Sequence, residues 1–145
     1  MKNINHLSPG FEFPETVIQV SEEEQRHKLS CCDIDASIYG NEVDITMLGL
    51  PTLEILMAAD VPVVGAVHLF QKFHQHSPFV LGEAIVVNGK IKEVLPHERG
   101  CILSCEFRYT DPMGNVRVEA QRSGIVPVGA KEKSHENFRP SEQLD

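Results

Sequence analysis

The apolar segment at residues 46–59 constrains the fold more than any other part of the chain. The segment is rich in Ala, Leu and Met and has no run of β-branched residues, so it favours a helix over a buried strand. Its only charged residue is Glu54, which predicts a helix that is covered on most sides. Because Pro51 is tolerated only near the first turn, the helix is predicted to begin near Gly49 and to end at residues 60–62.

The segments around this helix read mainly as strands. From Cys101 to Tyr109 apolar and polar residues alternate, which is the clearest strand pattern in the chain. Ser21 followed by Glu24 forms a capping box and predicts a helix at 22–31. The other predicted elements are strands at 16–20, 63–73, 83–95 (with a bulge at Gly89) and 116–121. One apolar helix followed by antiparallel strands predicts an α+β fold in which a sheet wraps around a central helix.

The length of the chain and the absence of an internal linker predict a single domain. This domain spans residues 15–128, preceded by an N-terminal arm at 1–14 and followed by a flexible polar tail at 129–145. Residues 33–45 carry acids, Gly and Asn without periodicity, and this loop is long for a connection between two helices. Long loops of this kind tend to hold functional sites, so we expect the site there.

The composition argues against several classes of function. The net charge is −8 and no cluster of Lys and Arg is present, so we expect no binding to nucleic acid or to an anionic membrane. No apolar run approaches the ~20 residues of a membrane span, and the first residues lack the apolar part of a secretory signal. A cytoplasmic location is therefore predicted. The 4 cysteines are interpreted as reduced thiols, and we predict no metal and no other cofactor.

Several positions give the chain a family resemblance. These positions are Ile38-Tyr39, Leu48-Gly49, Pro78 and Gly82. At these positions, and in the order of its elements over about residues 15–128, the chain resembles the MaoC-like branch of the hot-dog superfamily. Members of that branch are (R)-specific enoyl hydratases and 3-hydroxyacyl dehydratases. The resemblance implies a hot-dog fold and a substrate that is a thioester of CoA or acyl carrier protein.

The resemblance also implies catalytic positions, although the family's motif histidines are replaced. Tyr39 stands where the family has its catalytic His, and Asp35 lies beside the position of the catalytic Asp. Leu48 replaces the His of the His-Gly pair that opens the central helix, and Gly49 is in the position of its Gly. The chain therefore resembles the family more in its fold than in its catalytic residues.

Hydration of an enoyl thioester needs a base and hydrogen-bond donors for the developing enolate oxygen. The backbone amides at the start of the central helix, at Gly49 and Leu50, are suited to the second task. Tyr39 has an ordinary pKa near 10, so it could donate a hydrogen bond to a carbonyl or position a water more readily than it could abstract a proton. The predicted substrate-binding positions are five: Leu48, Gly49, Leu50, Pro78 and Gly82.

Glu54 is the most informative carboxylate. A lone carboxylate on a covered apolar helix would have a raised pKa, which is one way to make a base near neutral pH. Hot-dog thioesterases resemble this arrangement in using an acidic residue of the central helix to activate water. Glu54 is therefore a predicted catalytic residue with Tyr39 and Asp35, and Asp44 is an alternative base. His68 is interpreted as a half-buried strand histidine.

Three functions stay open on the sequence alone. The preferred one is a divergent MaoC-like enoyl hydratase or 3-hydroxyacyl dehydratase. The alternatives are a non-catalytic acyl-binding or partner subunit and an acyl-CoA thioesterase. In each case we expect a homodimer or a higher even oligomer whose paired sheets form one continuous surface.

Overall fold

Five antiparallel strands form one sheet in the order β1-β3-β4-β5-β2. The computed structural model describes residues 7–127, so most of the predicted arm at 1–14 is described and the predicted tail at 129–145 is not. The elements are β1 (Thr16–Ile18), α1 (Glu22–Cys31), 3₁₀ turns at Ala36–Tyr39 and Ile45–Leu48, α2 (Leu50–Ala58), β2 (Val67–Gln75), β3 (Ile85–His97), β4 (Gly100–Thr110) and β5 (Val116–Val126). The prediction of an α+β fold with an antiparallel sheet and a central helix is confirmed.

Helix α2 lies against the sheet through one face. Ile55 and Leu56 are buried in the same core cluster as Phe107 and Tyr109 of β4. The predicted start is confirmed within a residue, since Gly49 is the N-cap and Pro51 lies in the first turn. The helix ends at Ala58, just before the predicted end at residues 60–62.

The opposite face of α2 differs from the prediction of a helix covered on most sides. Leu50 is 65% exposed and Met57 is 53% exposed, and Glu54 lies on the same open face. The apolar character of this face therefore does not come from packing within the single chain. A helix that is apolar all round but buried on one side in the monomer is typical of an element that a further partner covers.

The strand predictions hold in their pattern and differ in their limits. In β4 every predicted core-facing residue from Cys101 to Tyr109 is buried. The bulge predicted at Gly89 is wrong, because the register of β3 with β4 shifts between Ile91 and Glu93. Gly89 is instead needed for space, since a Cβ there would lie 2.5 Å from the ring of Phe107.

Strand β5 runs further than predicted, to Val126 instead of residue 121. The alternation of its side chains continues over the added residues, so Arg122 pairs with the buried Cys105 of β4. Paired residues of antiparallel strands share one face of the sheet. Arg122 therefore lies on the face that carries α2.

None of the four cysteines forms a disulfide. Cys31 and Cys32 are exposed, and Cys101 and Cys105 are buried. In residues 7–127 no helix is both long enough and apolar enough to cross a bilayer.

Candidate functional site

The loop before α2 carries a cluster of polar side chains, which we call the Asp44 cluster: Gln25, Lys28, Tyr39, Asp44 and Thr46. Asp44 is 5% exposed and caps the 3₁₀ turn that leads into α2. Its carboxylate accepts hydrogen bonds from the backbone N–H of Thr46 at 3.1 Å and from the Thr46 hydroxyl at 2.8 Å. Lys28 lies 3.6 Å from the same carboxylate and also donates to the Thr46 hydroxyl. The cluster therefore places one buried carboxylate close to the start of α2.

Helix α1 holds this cluster in place. The side chain of Gln25 is buried and accepts a hydrogen bond from the backbone N–H of Asp44 at 2.7 Å. The same side chain donates to the carbonyl of Glu42 at 2.9 Å. The capping box that starts α1 is confirmed, with the Glu24 N–H donating to the Ser21 hydroxyl at 3.1 Å. A well-capped helix thus fixes the backbone on which Asp44 lies.

Tyr39, the predicted substitute for the catalytic His, is half-buried beside Asp44. Burial raises the pKa of Tyr39 above its ordinary value, and the charge of Asp44 and its hydrogen bond to the phenol raise it further. The phenol is therefore protonated at neutral pH. It can donate a hydrogen bond to a carbonyl oxygen, but it cannot act as the base.

Asp35, the predicted counterpart of the catalytic Asp, is exposed. Its carboxylate caps the first 3₁₀ turn and accepts a hydrogen bond from the Ser37 N–H at 2.9 Å. The hydrogen bonds from Ser37 lower the pKa of Asp35 below its ordinary value. This carboxylate therefore has the surroundings of a turn cap.

The residues at the start of α2 are tied to the sheet. The carbonyl of Leu48 accepts a hydrogen bond from the buried hydroxyl of Tyr109 at 2.6 Å. A Cβ at Gly49 would lie 3.1 Å from Oε1 of Gln71, so Gly49 makes room for that side chain. Leu50, the third predicted substrate-binding residue here, is exposed on the open face of the helix.

Pro78 belongs to a segment that Arg117 of β5 holds against the sheet. Arg117 donates to the carbonyl of Pro78 and forms a salt bridge with Glu83 at 2.8 Å. Its guanidinium also lies over the ring of Phe79, 4.6 Å from the ring centre. The position of Pro78 is therefore fixed by an ion pair and a cation–π contact.

The same segment pairs with the loop that carries the Asp44 cluster. The backbone N–H of Val43 donates to Phe79, and the N–H of Leu81 donates to Asn41, each at 2.8 Å. Gly82 has a φ of +82° and donates to Val20 at 2.9 Å, so a side chain at this turn would be strained. The structure thus shows Pro78 and Gly82 shaping the backbone behind the loop.

A second polar group, which the sequence reasoning missed, lies beneath the first turn of α2. We call it the Arg122 group: Thr52, Gln71 and Arg122. Arg122 donates to the buried hydroxyl of Thr52 at 2.9 Å, and that hydroxyl donates to the carbonyl of Gly49 at 2.6 Å. Gln71 lies opposite Arg122 in the pairing of β2 with β5, and its Nε2 is buried without a hydrogen-bond partner. If the alternation of core-facing and outward-facing residues in β5 is continued beyond Gln121, Arg122 falls on the face of the sheet that carries α2.

A cavity of about 240 Å³ adjoins the Arg122 group between α2 and the sheet. Burial lowers the pKa of Arg122 from its ordinary value and raises the pKa of Cys105 to about 12. Both shifts follow from the burial of these two groups, and at neutral pH the guanidinium stays charged and the thiol stays neutral. The residues that line the cavity are Leu53, Leu56, Val63, Ala66, Val67, His68, Leu103, Cys105, Arg122, Gly124 and Val126. The lining is thus mostly apolar, with a cation on one side.

Glu54, the predicted base on α2, lies outside this cavity on the open face of the helix. The interpretation of His68 as half-buried is wrong: its side chain is exposed, and it lines the cavity where the register of β2 with β5 shifts. In the part of the chain that the structure describes, no group of three or more His, Cys, Asp or Glu is arranged to hold a metal ion.

The fold resembles solved structures that include dehydratases and hydratases. The chain matches a subunit of the HadBC (3R)-hydroxyacyl-ACP dehydratase complex of Mycobacterium tuberculosis with a TM-score of 0.65 and 19% identity, over 79% of this chain and 94% of that one. It matches the (R)-hydratase of A. caviae with a TM-score of 0.62 and 15% identity, over 83% and 98%. It matches a MaoC-like dehydratase of Rhodospirillum rubrum with a TM-score of 0.64 and 14% identity, over 85% and 94%.

No protein-family model matches the sequence, and no curated protein matches it either. The structural matches establish that the chain has the hot-dog fold of the MaoC-like dehydratases and (R)-hydratases. The resemblance stated from the sequence is thereby confirmed at the level of the fold. At identities of 14–19% these three matches show the fold.

Proposed function

We propose that this protein binds acyl thioesters of CoA or acyl carrier protein and is a divergent MaoC-like enoyl hydratase or 3-hydroxyacyl dehydratase. The observation that carries the proposal is the apolar cavity between α2 and the sheet, which adjoins the first turn of the helix. An acyl chain would fill this cavity while the thioester lies near the helix start and the Asp44 cluster. The dehydratases and the hydratase with the same fold support this assignment.

In this proposal the residues of the Asp44 cluster carry out the acid–base chemistry. Asp44 accepts a proton from water as the water oxygen bonds to C3 of the enoyl group, and the proton then passes to C2. Tyr39, protonated at neutral pH, turns its hydroxyl from Asp44 to the thioester oxygen and donates its hydrogen bond there as negative charge develops. The N-terminal amides of α2 add the favourable end of the helix dipole. Asp35 and Glu54 face solvent in the single chain, so they take part only if a partner chain covers them.

Crotonyl-CoA hydration tests this assignment. We expect the absorbance of the conjugated enoyl group to fall with wild-type protein, and Asp44→Asn to slow the reaction by roughly 10²-fold or more. Tyr39→Phe should slow it by about tenfold, which corresponds to the loss of one hydrogen bond to a charged group. Glu93→Gln is the control, because Glu93 is an exposed side chain on β3 and should leave the rate unchanged. No fall in absorbance at high wild-type concentration would contradict a hydratase.

A non-catalytic acyl-binding or partner subunit is the second candidate. The specific observation in its favour is that Asp44 already accepts two hydrogen bonds from Thr46 and faces Lys28, as a structural carboxylate would. One of the similar structures is a subunit of a dehydratase complex, HadBC. This function predicts an acyl-CoA-dependent rise in melting temperature with neither enoyl hydration nor release of free CoA.

The proposal includes a homodimer formed along β2. Among residues 7–127 this strand pairs only with β5, so its outer edge is open. Leu69 and Phe70 on this strand are each about half exposed, and the open face of α2 adds Leu50 and Met57. A second copy pairing edge to edge would cover these apolar residues and extend the sheet. The free thiols support a cytoplasmic location for the dimer.

A further inference from the structure

We propose that Arg122 is a catalytic residue that donates a hydrogen bond to the thioester oxygen of the bound acyl group. This assignment rests on the proposed function and deepens it, since it names a residue that stabilises the negative charge formed in the reaction. Three features carry it: the place of Arg122 at one end of the cavity, the N–H groups that its guanidinium has left, and the bonds already made by the amides at the start of α2.

The first feature is the direction of the cavity. Arg122, Gly124 and Val126 alternate along one face of β5, and all three line the cavity. At about 3.3 Å per residue, this row spans roughly 13 Å. Arg122 donates to Thr52 in the first turn of α2, so it marks the end of the cavity at the helix start, and the apolar Val126 ends the row on the other side. The polar head of a thioester therefore fits beside Arg122, with its acyl chain running towards Val126.

The second feature is the set of donors that Arg122 has left. Its Nη1 donates to the hydroxyl of Thr52 at 2.9 Å, and this hydroxyl donates in turn to the carbonyl of Gly49, which fixes the guanidinium under the helix. Over residues 7–127 the guanidinium forms no other hydrogen bond and no salt bridge, and none of its nitrogens is buried without a partner. Its remaining N–H groups are therefore oriented and still within reach of a ligand in the cavity that Arg122 lines.

The third feature is that amides at the start of α2 are already in use. The N–H of Gly49 donates to the carbonyl of Thr46 at 3.4 Å, and the N–H of Thr52 donates to the carbonyl of Gly49 at 3.2 Å. Pro51 has no N–H. Apart from Leu50, residues 49–52 therefore offer no free N–H to a substrate oxygen, so a side-chain donor is needed at this end of the cavity.

A guanidinium suits the charge that develops there. As water adds to C3 of the enoyl group, negative charge moves to the thioester oxygen, and Arg122 stabilises this charge without giving up its proton. The interaction is strengthened by the partial burial of the guanidinium, because less water screens it. A carbonyl oxygen accepts two hydrogen bonds, so Arg122 adds to the hydrogen bond that Tyr39 donates in the proposed mechanism.

The direct test is the absorbance of bound 2,4-hexadienoyl-CoA, whose conjugated carbonyl absorbs at longer wavelength when a cation donates a hydrogen bond to its oxygen. We expect wild-type protein to shift the absorbance maximum to longer wavelength. Arg122→Met should lose most of this shift while it still binds the thioester, and its melting curve checks that it is folded. Arg108→Met is the matched control, since Arg108 lies exposed on β4 and outside the cavity, and it should keep the shift.

Crotonyl-CoA hydration gives a second readout. Arg122→Met should lower kcat by roughly 10²-fold or more with KM nearly unchanged, because the interaction strengthens as the charge develops. Arg122→Gln is the second variant, for the case that the Met variant does not fold. Its amide can still donate to Thr52 but the charge is lost, so both the shift and kcat should fall below those of wild type.

A shift of wild-type size in Arg122→Met or in Arg122→Gln, or wild-type binding without any shift, would overturn the inference and leave the proposed function standing. Binding with the shift but without hydration by wild-type protein would overturn the catalytic role of Arg122 together with the hydratase, and would support the acyl-binding subunit. Failure of wild-type protein to bind either thioester would overturn the proposed function, and the inference with it.

Discussion

Tyr109 links the sheet to the start of α2 through a single buried hydrogen bond. Its side chain has no exposed surface, and its hydroxyl donates to the carbonyl of Leu48 at 2.6 Å. Burial raises the pKa of Tyr109, so the hydroxyl keeps its proton at neutral pH. The bond therefore holds the 3₁₀ turn that carries Asp44 against the sheet.

Replacing this residue with Phe isolates the contribution of the hydroxyl. Tyr109→Phe keeps the ring and leaves the Leu48 carbonyl buried without its donor. We expect the free energy of unfolding to fall by about 1–2 kcal/mol, measured as a lower urea midpoint at an unchanged m-value. An unchanged midpoint would show that the carbonyl finds another donor and that the turn is not held by Tyr109.

Individual residues could be predicted from the sequence where a local rule decides their position. Ser21 as a helix cap and the buried side of β4 follow from spacing along the chain, and both are confirmed. Asp44 and Lys28 come together only through the packing of α1 on the loop, which no local pattern shows. Arg122 was missed because a charged residue at a core-facing position breaks the hydrophobic pattern that marks a strand.

At the scale of elements, α1, α2 and the later strands could be predicted because each has a regular periodicity. The ends of strands β2 and β5 could not be predicted from the sequence, because a strand continues for as long as its partner strand offers hydrogen bonds. The covering of α2 was overestimated for a related reason. Its apolar composition predicted covering on most sides, whereas within residues 7–127 only the face that carries Ile55 and Leu56 is buried.

The open edge of β2 leads to a prediction about assembly. We expect wild-type protein to be a dimer at micromolar concentration by light scattering coupled to size-exclusion chromatography. Phe70→Lys should shift it to a monomer, because the substitution places a charge on the edge strand of each copy. Val17→Lys is the matched control, since Val17 is 62% exposed on β1 at the opposite edge of the sheet. A monomeric wild type, or dissociation by Val17→Lys alone, would contradict pairing through β2.

At the scale of the whole molecule, the fold produces the site by leaving space between its two layers. The sheet contacts the buried face of α2 through the core cluster, and the cavity remains beside the helix. The general architecture was predictable from one apolar helix and the strands after it. The cavity was not, because it depends on how the side chains of four separate segments meet.

In the function that we propose, this cavity receives the acyl part of a thioester. The most direct test is calorimetric titration of wild-type protein with pentanoyl-CoA and with free CoA at several temperatures. We expect pentanoyl-CoA to bind more tightly than CoA and with a more negative heat-capacity change, because the acyl chain leaves water for an apolar cavity. Equal affinities and equal heat-capacity changes for the two ligands would contradict it.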